Sequence, residues 1–186
     1  MPAAKHTRSE ILSRISEVFR RFGYDGSSLQ RISEATGLGR ASLYHHFPGG
    51  KEEMAREVFG RVGAAVQENM LTPLAADGPP EARLRAWAKG TERFYGKGAK
   101  NCLLGAMLLS GGVDLFSEEL AASLRGQIDA LAATLREAGH SRAEARRRAE
   151  NAIGRIQGAL VVSRGQGTTK HFQRVVRELP DELLAT

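Results

Sequence analysis

Basic, hydroxyl and imidazole side chains are concentrated in residues 27–51, and their types suit contact with a phosphate-rich partner. Arg40 carries a planar guanidinium that can donate to two acceptors at once, as reading a guanine edge requires, or it can contact a phosphate or stay solvated. The neighbouring positions can contact phosphate oxygens, which positions a protein without specifying a sequence. The full candidate set is Ser27, Ser28, Gly39, Arg40, Ser42, Tyr44, His45 and Lys51.

Two short helices separated by a glycine break must hold this set in place. Ser27-x-x-Gln30 has the form of a capping box, which predicts a helix that starts at Ser27 or Ser28. Gly37 interrupts the pattern, and residues 40–46 form a second short helix. This arrangement is typical of a helix-turn-helix, whose second helix lies in the DNA major groove. The stretch therefore predicts DNA binding, although capping alone also explains Ser27 and Ser28.

Helical periodicity continues through the rest of the chain. Apolar residues recur at three- and four-residue steps in segments bounded by glycine, proline or a capping serine. One further helix is predicted before the motif, over Thr7–Phe22, and others are predicted to begin near Lys51, Pro80, Asn101, Ser117, Ser141 and Thr169. Thr72–Pro80 is predicted to be a loop, and Pro180 to end the last helix. No segment alternates with the period of a strand, so we expect an all-α fold.

Small apolar residues form a seam along the helix that begins at Ser141. A second apolar face adjoins this seam, so the helix needs two partners, and small side chains allow another helix to approach closely. We therefore predict that the seam pairs two copies of the chain, together with apolar residues of the last helix. The predicted interface is Ala149, Ala152, Ile156, Ala159, Phe172 and Val176.

Composition narrows the classes of function. The formal charge of +6 and pI near 9.9 support a polyanionic partner without proving one. Cys102 is the only cysteine, which excludes an intrachain disulfide and leaves a buried small residue or a redox sensor as interpretations. The N-terminal residues lack an apolar signal region, and no apolar run is long enough to cross a bilayer. We therefore expect no membrane partner and a cytoplasmic location.

Other chemistries are poorly supported by the sequence. His45 and His46 are adjacent, and adjacent helical residues point about 100° apart, so they do not form a metal site. Gly49-Gly50-Lys51 lacks the other residues of a phosphate-binding loop. No nucleophile, base and orienting group occur together. The sequence thus predicts no cofactor, metal or catalytic residue, and an enzyme is the weakest alternative.

The helix-turn-helix stretch resembles the TetR family of transcriptional regulators over about the first third of the chain. The matching residues are Gly23, Tyr24, Ser27, Ser28, Leu29, Ile32, Ser33, Gly37, Leu38, Gly39, Leu43, Tyr44, His46, Phe47, Lys51 and Glu52. Serines replace two threonines and, at Ser33, an alanine of the family pattern, and Gly39 replaces the usual capping Ser or Thr. The segments PGGKEE and NCLLGAML are similar to the LmrA/YxaF-like branch of the family.

The resemblance implies a helix-turn-helix domain over residues 1–50 and a ligand-binding and dimerisation domain over residues 51–186. It implies a homodimeric repressor that binds a palindromic double-stranded operator and is released by an unknown small-molecule effector. Candidate residues for lining the effector cavity are Trp87, Phe94, Tyr95, Cys102, Met107 and Phe116, although a residue of this kind more often belongs to the ordinary core. The alternative of another class is a non-specific or architectural DNA-binding protein.

Overall fold

Helices form wherever the sequence combines apolar periodicity with capping residues, and the computed structural model, which describes residues 7–185, contains no strand in that range. The helices are α1 (Arg8–Gly26), α2 (Leu29–Thr36), α3 (Arg40–His46), α4 (Gly50–Val66), α5 (Pro80–Phe94), α6 (Leu103–Leu108), α7 (Gly112–Glu137), α8 (Arg142–Gly165) and α9 (Lys170–Leu184). The prediction of an all-α fold is confirmed. Within residues 7–185, every helix is too short or too polar to cross a membrane.

The described chain divides into two compact units. Unit 1 contains residues 7–62 together with 103–117, and unit 2 contains residues 63–102 together with 118–185. α4 and α7 therefore each contribute residues to both units. The predicted functional boundary at residue 50 does not coincide with this division, because a segment more than forty residues further along the chain packs with the N-terminal helices.

Unit 1 is built on the apolar face of α1. Ile11, Ile15 and Phe19 recur at four-residue steps and are almost fully buried, as are Ile32 of α2 and Leu43 of α3. Each such side chain contributes about 1.5–3 kcal/mol when it leaves water. The periodicity of α1 thus supplies the surface on which the two shorter helices of the predicted motif are held.

The end of α1 also contacts the connection between α6 and α7 within unit 1. Gly23 has a left-handed backbone (φ 65°), and a Cβ built there would lie 2.9 Å from the Ala106 carbonyl oxygen and from Ser110. The Tyr24 amide donates to the Ser110 hydroxyl at 3.0 Å, and the Gly111 amide donates to the Asp25 carboxylate at 2.7 Å. Only glycine fits this close approach, so residue 23 is fixed by packing as well as by its backbone.

Unit 2 packs α5 against the end of α4. α4 continues through a π-helical turn, Gln67–Leu71, and a final turn, Thr72–Ala75, and Trp87 of α5 is almost fully buried. A Cβ built on Gly90 would lie 1.6 Å from the Asn69 carbonyl oxygen. The contact between these two helices therefore requires the absence of a side chain at residue 90.

Two predictions about helix ends are wrong. Thr72–Pro80 is not a loop throughout, because Thr72–Ala75 remains helical after the π turn. Pro180 lies inside α9, which continues to Leu184. The Arg148 guanidinium donates to the carbonyl oxygens of Glu182, Leu183 and Ala185, at 3.2, 3.1 and 2.5 Å, and so replaces partners that the last turn lacks.

Replacing Gly90 with alanine should strongly destabilise the protein, since the new methyl group would overlap the Asn69 backbone. We expect the free energy of unfolding to fall by about 2–3 kcal/mol or more. Gly126→Ala is the matched control, because Gly126 lies within α7 with nothing within 4 Å of its Cβ position. That change should raise stability by about 0.5–1 kcal/mol. Denaturant unfolding followed by circular dichroism measures both, and equal effects would contradict the packing argument.

Candidate nucleic-acid interface

α3 presents one polar face to solvent because its opposite face is buried. Leu43 is fully buried, and Phe47, which follows the helix, is fully buried as well. The predicted contact residues of α3 are all exposed: Arg40, Ser42, Tyr44 and His45. Gly39 is the N-cap, and it provides no side-chain hydrogen bond to the helix. The structure therefore exposes all four candidates, and their four-residue step puts Arg40 and Tyr44 on the same side of the helix.

The turn between α2 and α3 is held by side chains that bond to backbone carbonyls. Gly37 ends α2 in the left-handed conformation (φ 73°), as the sequence predicts. The Ser33 hydroxyl donates to the Leu38 carbonyl at 2.6 Å, so the serine that departs from the family pattern secures the turn. Arg14 Nη1 approaches the Ala35 and Thr36 carbonyls at 3.4 and 3.3 Å. These contacts fix the angle at which α3 is presented.

The predicted role of Ser27 in contacting DNA is wrong. Its side chain is fully buried, and its hydroxyl donates to the Gly23 carbonyl oxygen at 2.5 Å. Ser28 is the exposed residue, and as the N-cap of α2 its hydroxyl accepts from the Arg31 amide at 3.2 Å. The first serine therefore stabilises the end of α1, and only the second lies where a phosphate can reach it.

Lys51 is anchored to the end of α1. Its ammonium donates to the Tyr24 carbonyl at 3.1 Å and lies 4.1 Å from the centre of the Tyr24 ring. Burial raises the pKa of the Tyr24 phenol above its ordinary value, and the nearby Glu52 and Asp25 carboxylates raise it further. An ammonium carries three donors, so Lys51 keeps two for another partner. Its predicted contact with phosphate stays a prediction.

The start of α1 is bonded to the end of α3. The Arg8 guanidinium donates to the His46 carbonyl at 2.9 Å, pairs with the Glu57 carboxylate, and lies 4.6 Å from the centre of the Phe47 ring. This contact closes the three-helix arrangement on the side opposite to the turn, in a way that the sequence did not indicate.

Within residues 7–185 no group of three or more His, Cys, Asp or Glu side chains is placed to hold a metal ion.

The predicted cavity residues are divided between the two units. In unit 2 the Tyr95 hydroxyl lies 3.5 Å from Cys102 Sγ, and the Phe94 and Tyr95 rings meet edge to face at 4.8 Å. Gln157, which the sequence did not single out, donates to the Tyr95 hydroxyl at 3.2 Å. Trp87 is almost fully buried in unit 2, and Met107 is fully buried in unit 1.

Phe116 belongs to the apolar core of unit 1. Its ring meets the rings of Tyr24 and Phe59 edge to face, at 5.4 and 5.0 Å. α7 is not regular at this residue, where the backbone angles are φ −131° and ψ 25°. The earlier start of α7, at Gly112 rather than at Ser117, places Phe116 inside the helix. These contacts account for its burial without a ligand, and its predicted place in an effector cavity stays a prediction.

The predicted dimer-interface seam does not face solvent, and this prediction is corrected. The six residues are at most 3% exposed within the single chain: Ala149, Ala152, Ile156, Ala159, Phe172 and Val176. The small side chains lie inside unit 2, where α8 and α9 pack against each other. The exposed face of α8 instead carries Gly154, Gly158 and Val161, and Val161 is 71% exposed.

The fold and the α3 surface define a helix-turn-helix protein of the all-α class. Comparison with protein families gives the particular family. Residues 11–58 match the model of bacterial regulatory proteins of the tetR family, and residues 79–178 match the C-terminal domain of LmrA/YxaF-like transcriptional regulators. The chain belongs to the TetR family of transcriptional regulators, in its LmrA/YxaF-like branch.

Curated relatives agree with this assignment over part of their length. The HTH-type transcriptional regulator LmrA of Bacillus subtilis is 32% identical over 45% of this chain and 44% of that protein. The uncharacterized regulator YxaF of the same organism is 28% identical over 64% of this chain and 63% of that protein. The repressor AcnR of Corynebacterium efficiens is 40% identical over 36% of this chain and 37% of that protein.

Solved structures share the fold along almost the whole chain. A TetR-family regulator from Agrobacterium tumefaciens has a TM-score of 0.78 and 22% identity, covering 94% of this chain and 96% of that one. CifR bound to 26-base-pair operator DNA has a TM-score of 0.74 and 19% identity, covering 97% and 98%. At these identities the similarity establishes the fold alone.

Removing the Ser27 hydroxyl should weaken the fold and leave any DNA contact unchanged. Ser27→Ala leaves the buried Gly23 carbonyl without this donor, and we expect a loss of about 1–2 kcal/mol in the free energy of unfolding. Ser13→Ala, at an exposed position of α1, should change stability by less than about 0.5 kcal/mol. Thermal unfolding and the salt dependence of DNA binding test the two parts, and a changed salt dependence would restore Ser27 as a phosphate contact.

Proposed function

We propose that the protein is a transcriptional repressor that binds operator DNA through α3. The observation that carries the proposal is the exposed polar face of α3, fixed by the complete burial of Leu43 behind it. Arg40 begins this helix, and within residues 7–185 its guanidinium makes no hydrogen bond or ion pair. It is therefore available to donate to guanine, while Ser42, Tyr44 and His45 are placed to contact the adjacent backbone.

The repressor is proposed to act as a homodimer. The open surface over Gly154 and Gly158, with the exposed Val161 beside it, allows a second copy of α8 to approach closely. In such a dimer the two helix-turn-helix motifs are spaced about one DNA turn apart, roughly 34–36 Å. They enter successive major grooves and require a palindromic site. A cytoplasmic location is proposed as well, because operator DNA in a bacterium lies in the cytoplasm.

A small-molecule effector is proposed to release the operator. The polar groups of Tyr95, Gln157 and Cys102 lie close together in unit 2 beside the Phe94 ring, an arrangement that suits a ligand with both a polar and an apolar part. A ligand that binds the two conformations unequally lowers DNA affinity by that difference, typically about 1–3 kcal/mol. The coupling is reciprocal, so operator DNA must weaken effector binding equally.

Selection from random duplexes, followed by competition at fixed salt, tests the proposed function. Duplexes recovered with the wild-type protein should contain an inverted repeat, and random duplex of the same length should compete at least about a thousandfold less well. Equal competition by both duplexes would favour the alternative, a non-specific or architectural DNA-binding protein. The TetR models and curated relatives are regulators, and an enzyme is not proposed.

Arg40→Ala should reduce the preference for the selected duplex. Loss of a bidentate contact to guanine is expected to cost about 1–3 kcal/mol of discrimination per half-site. Arg142→Ala removes the same charge from an exposed position of α8 and should leave the preference intact. The ratio of dissociation constants for selected and random duplex is the measurement. If both constants rise equally, Arg40 contacts only phosphate.

A charge introduced on the exposed face of α8 should prevent dimerisation without unfolding the chain. Val161→Glu places a carboxylate where apolar surface would be buried against a second copy, and burial of an unpaired charge is strongly unfavourable. Ala143→Glu alters an exposed residue in the first turn of the same helix and is the control. Analytical ultracentrifugation should show monomer only for Val161→Glu. A dimer of unchanged stability would place the interface elsewhere.

A further inference from the structure

Two arginines lie over one phenylalanine ring at the junction of α1 and α2. The guanidinium carbon of Arg31 is 4.4 Å from the centre of the Phe22 ring, and that of Arg21 is 5.0 Å from it. Both arginines are exposed, and Phe22 is half-buried. The two charges are therefore separated by no more than about one Debye length, ~10 Å at 0.1 M salt, and they repel each other across solvent.

The position of Arg31 is fixed by more than the ring. Its Nη1 donates to the Gly26 carbonyl at 2.5 Å, and the residue lies in the first turn of α2, three positions after the N-cap Ser28. A guanidinium carries five donors, so most of its N–H groups remain for another partner. The side chain loses little freedom when such a partner binds, because the ring and the carbonyl already hold it.

Within the described residues, no carboxylate is bonded to either guanidinium group of the pair. Within residues 7–185, neither Arg21 nor Arg31 forms an ion pair with Asp or Glu. Glu17 pairs with Arg20 at 3.9 Å, Asp25 accepts from the Gly111 amide at 2.7 Å, and Glu34 accepts from Gln30 Nε2 at 3.0 Å, so these carboxylates are bonded to groups other than the two guanidinium groups. Two close cations that no acid contacts directly repel each other in the free protein, and an anion that binds both lowers that repulsion.

The location of the pair identifies the anion. In a helix-turn-helix, the second helix enters the major groove while the first crosses the sugar–phosphate backbone. α2 is that first helix, and Arg31 lies on its exposed side near Ser28. The backbone crossed by α2 therefore passes the junction at which Phe22 holds the two guanidinium groups.

We propose that Arg21 and Arg31, held by Phe22, form a phosphate-binding pair that contacts the operator backbone beside the half-site read by α3. The inference rests on the proposed function, since it requires that α3 binds duplex DNA. The pair contributes affinity for any duplex and no preference among sequences, because phosphates carry no base identity. It also adds phosphate contacts to a motif in which Gly39 lacks the hydroxyl that Ser or Thr supplies in the family pattern.

The test is the salt dependence of duplex binding by the full chain. Each phosphate contact contributes about 0.9 to the slope of log K against log salt, so Arg31→Gln should lower the slope by about 1.8 per bound dimer. The same change should raise the dissociation constants for selected and random duplex by the same factor, roughly 2- to 30-fold at 0.1 M salt. Arg21→Gln should lower the salt-dependence slope by the same amount. The double variant should lower it by about twice as much.

Controls separate the pair from general effects on charge and folding. Arg142→Gln removes one exposed charge from α8 and should leave the slope unchanged. Arg31→Lys keeps the charge and should keep the slope while binding more weakly than wild type, because an ammonium lacks the planar group that lies over Phe22. Glutamine keeps an amide donor for the Gly26 carbonyl, and melting curves of the free proteins report any loss of structure separately.

Three results would overturn the inference. An unchanged slope in Arg31→Gln would show that the pair only stabilises the α1–α2 junction. A lower affinity for selected duplex alone would make Arg31 a base contact. A slope lost equally in Arg142→Gln would make the effect one of net charge. Failure of the wild-type protein to prefer any duplex would instead contradict the proposed function, which the selection experiment detects before any variant is made.

Discussion

The burial of Leu43 is the constraint on which the proposed DNA-binding surface depends. α3 has only seven residues, and a helix of that length is not stable by itself in water. Its conformation and its rotation about its own axis are therefore set by packing on α1 and α2. With Leu43 and Phe47 fixed inward, the geometry of the helix leaves Arg40, Tyr44 and their neighbours no orientation except outward.

The contacts around this core share one form, in which an arginine, lysine or serine side chain donates to a carbonyl at or near the end of a helix. Arg14 and Ser33 do so at the α2–α3 turn, Arg8 does so at the end of α3, and Lys51 does so at the end of α1. Helix ends leave carbonyls without partners, and short helices have proportionally more of them. Many polar side chains around the helix-turn-helix therefore stabilise its fold. This limits how many of them are available for the proposed contacts with DNA.

Local signals predicted the helix-turn-helix well. The bounds of α3 agree with the prediction, because Gly37 and Gly39 on one side and Pro48 on the other leave a single short segment between them. The exposed face of α3 also follows directly from three- and four-residue periodicity. Family membership was predictable for the same reason, since its pattern is carried by closely spaced residues.

Predictions failed where one sequence pattern fits two structures that differ only in their tertiary contacts. A seam of alanines suits a helix of the same chain as well as one of a second copy, and periodicity does not distinguish them. Adjacent serines can each cap α2, and the choice between Ser27 and Ser28 depends on which one α1 buries. Pro180 normally signals a helix end, but here Arg148 satisfies the carbonyls of the following turn. In all three cases the observed structure depends on contacts between residues that are far apart in the sequence.

Gly23, Tyr24 and Asp25 contact residues 110 and 111. These contacts limit how the N-terminal helices can be exchanged between related proteins by recombination. Because the N-terminal helices pack with a segment encoded far downstream, the compact unit that contains the helix-turn-helix is discontinuous in the gene. A recombination event that transfers only the first sixty codons would join a new α1 to an α6–α7 connection that evolved with another partner. An exchange that preserves these contacts must therefore include residues 103–117 together with residues 7–62.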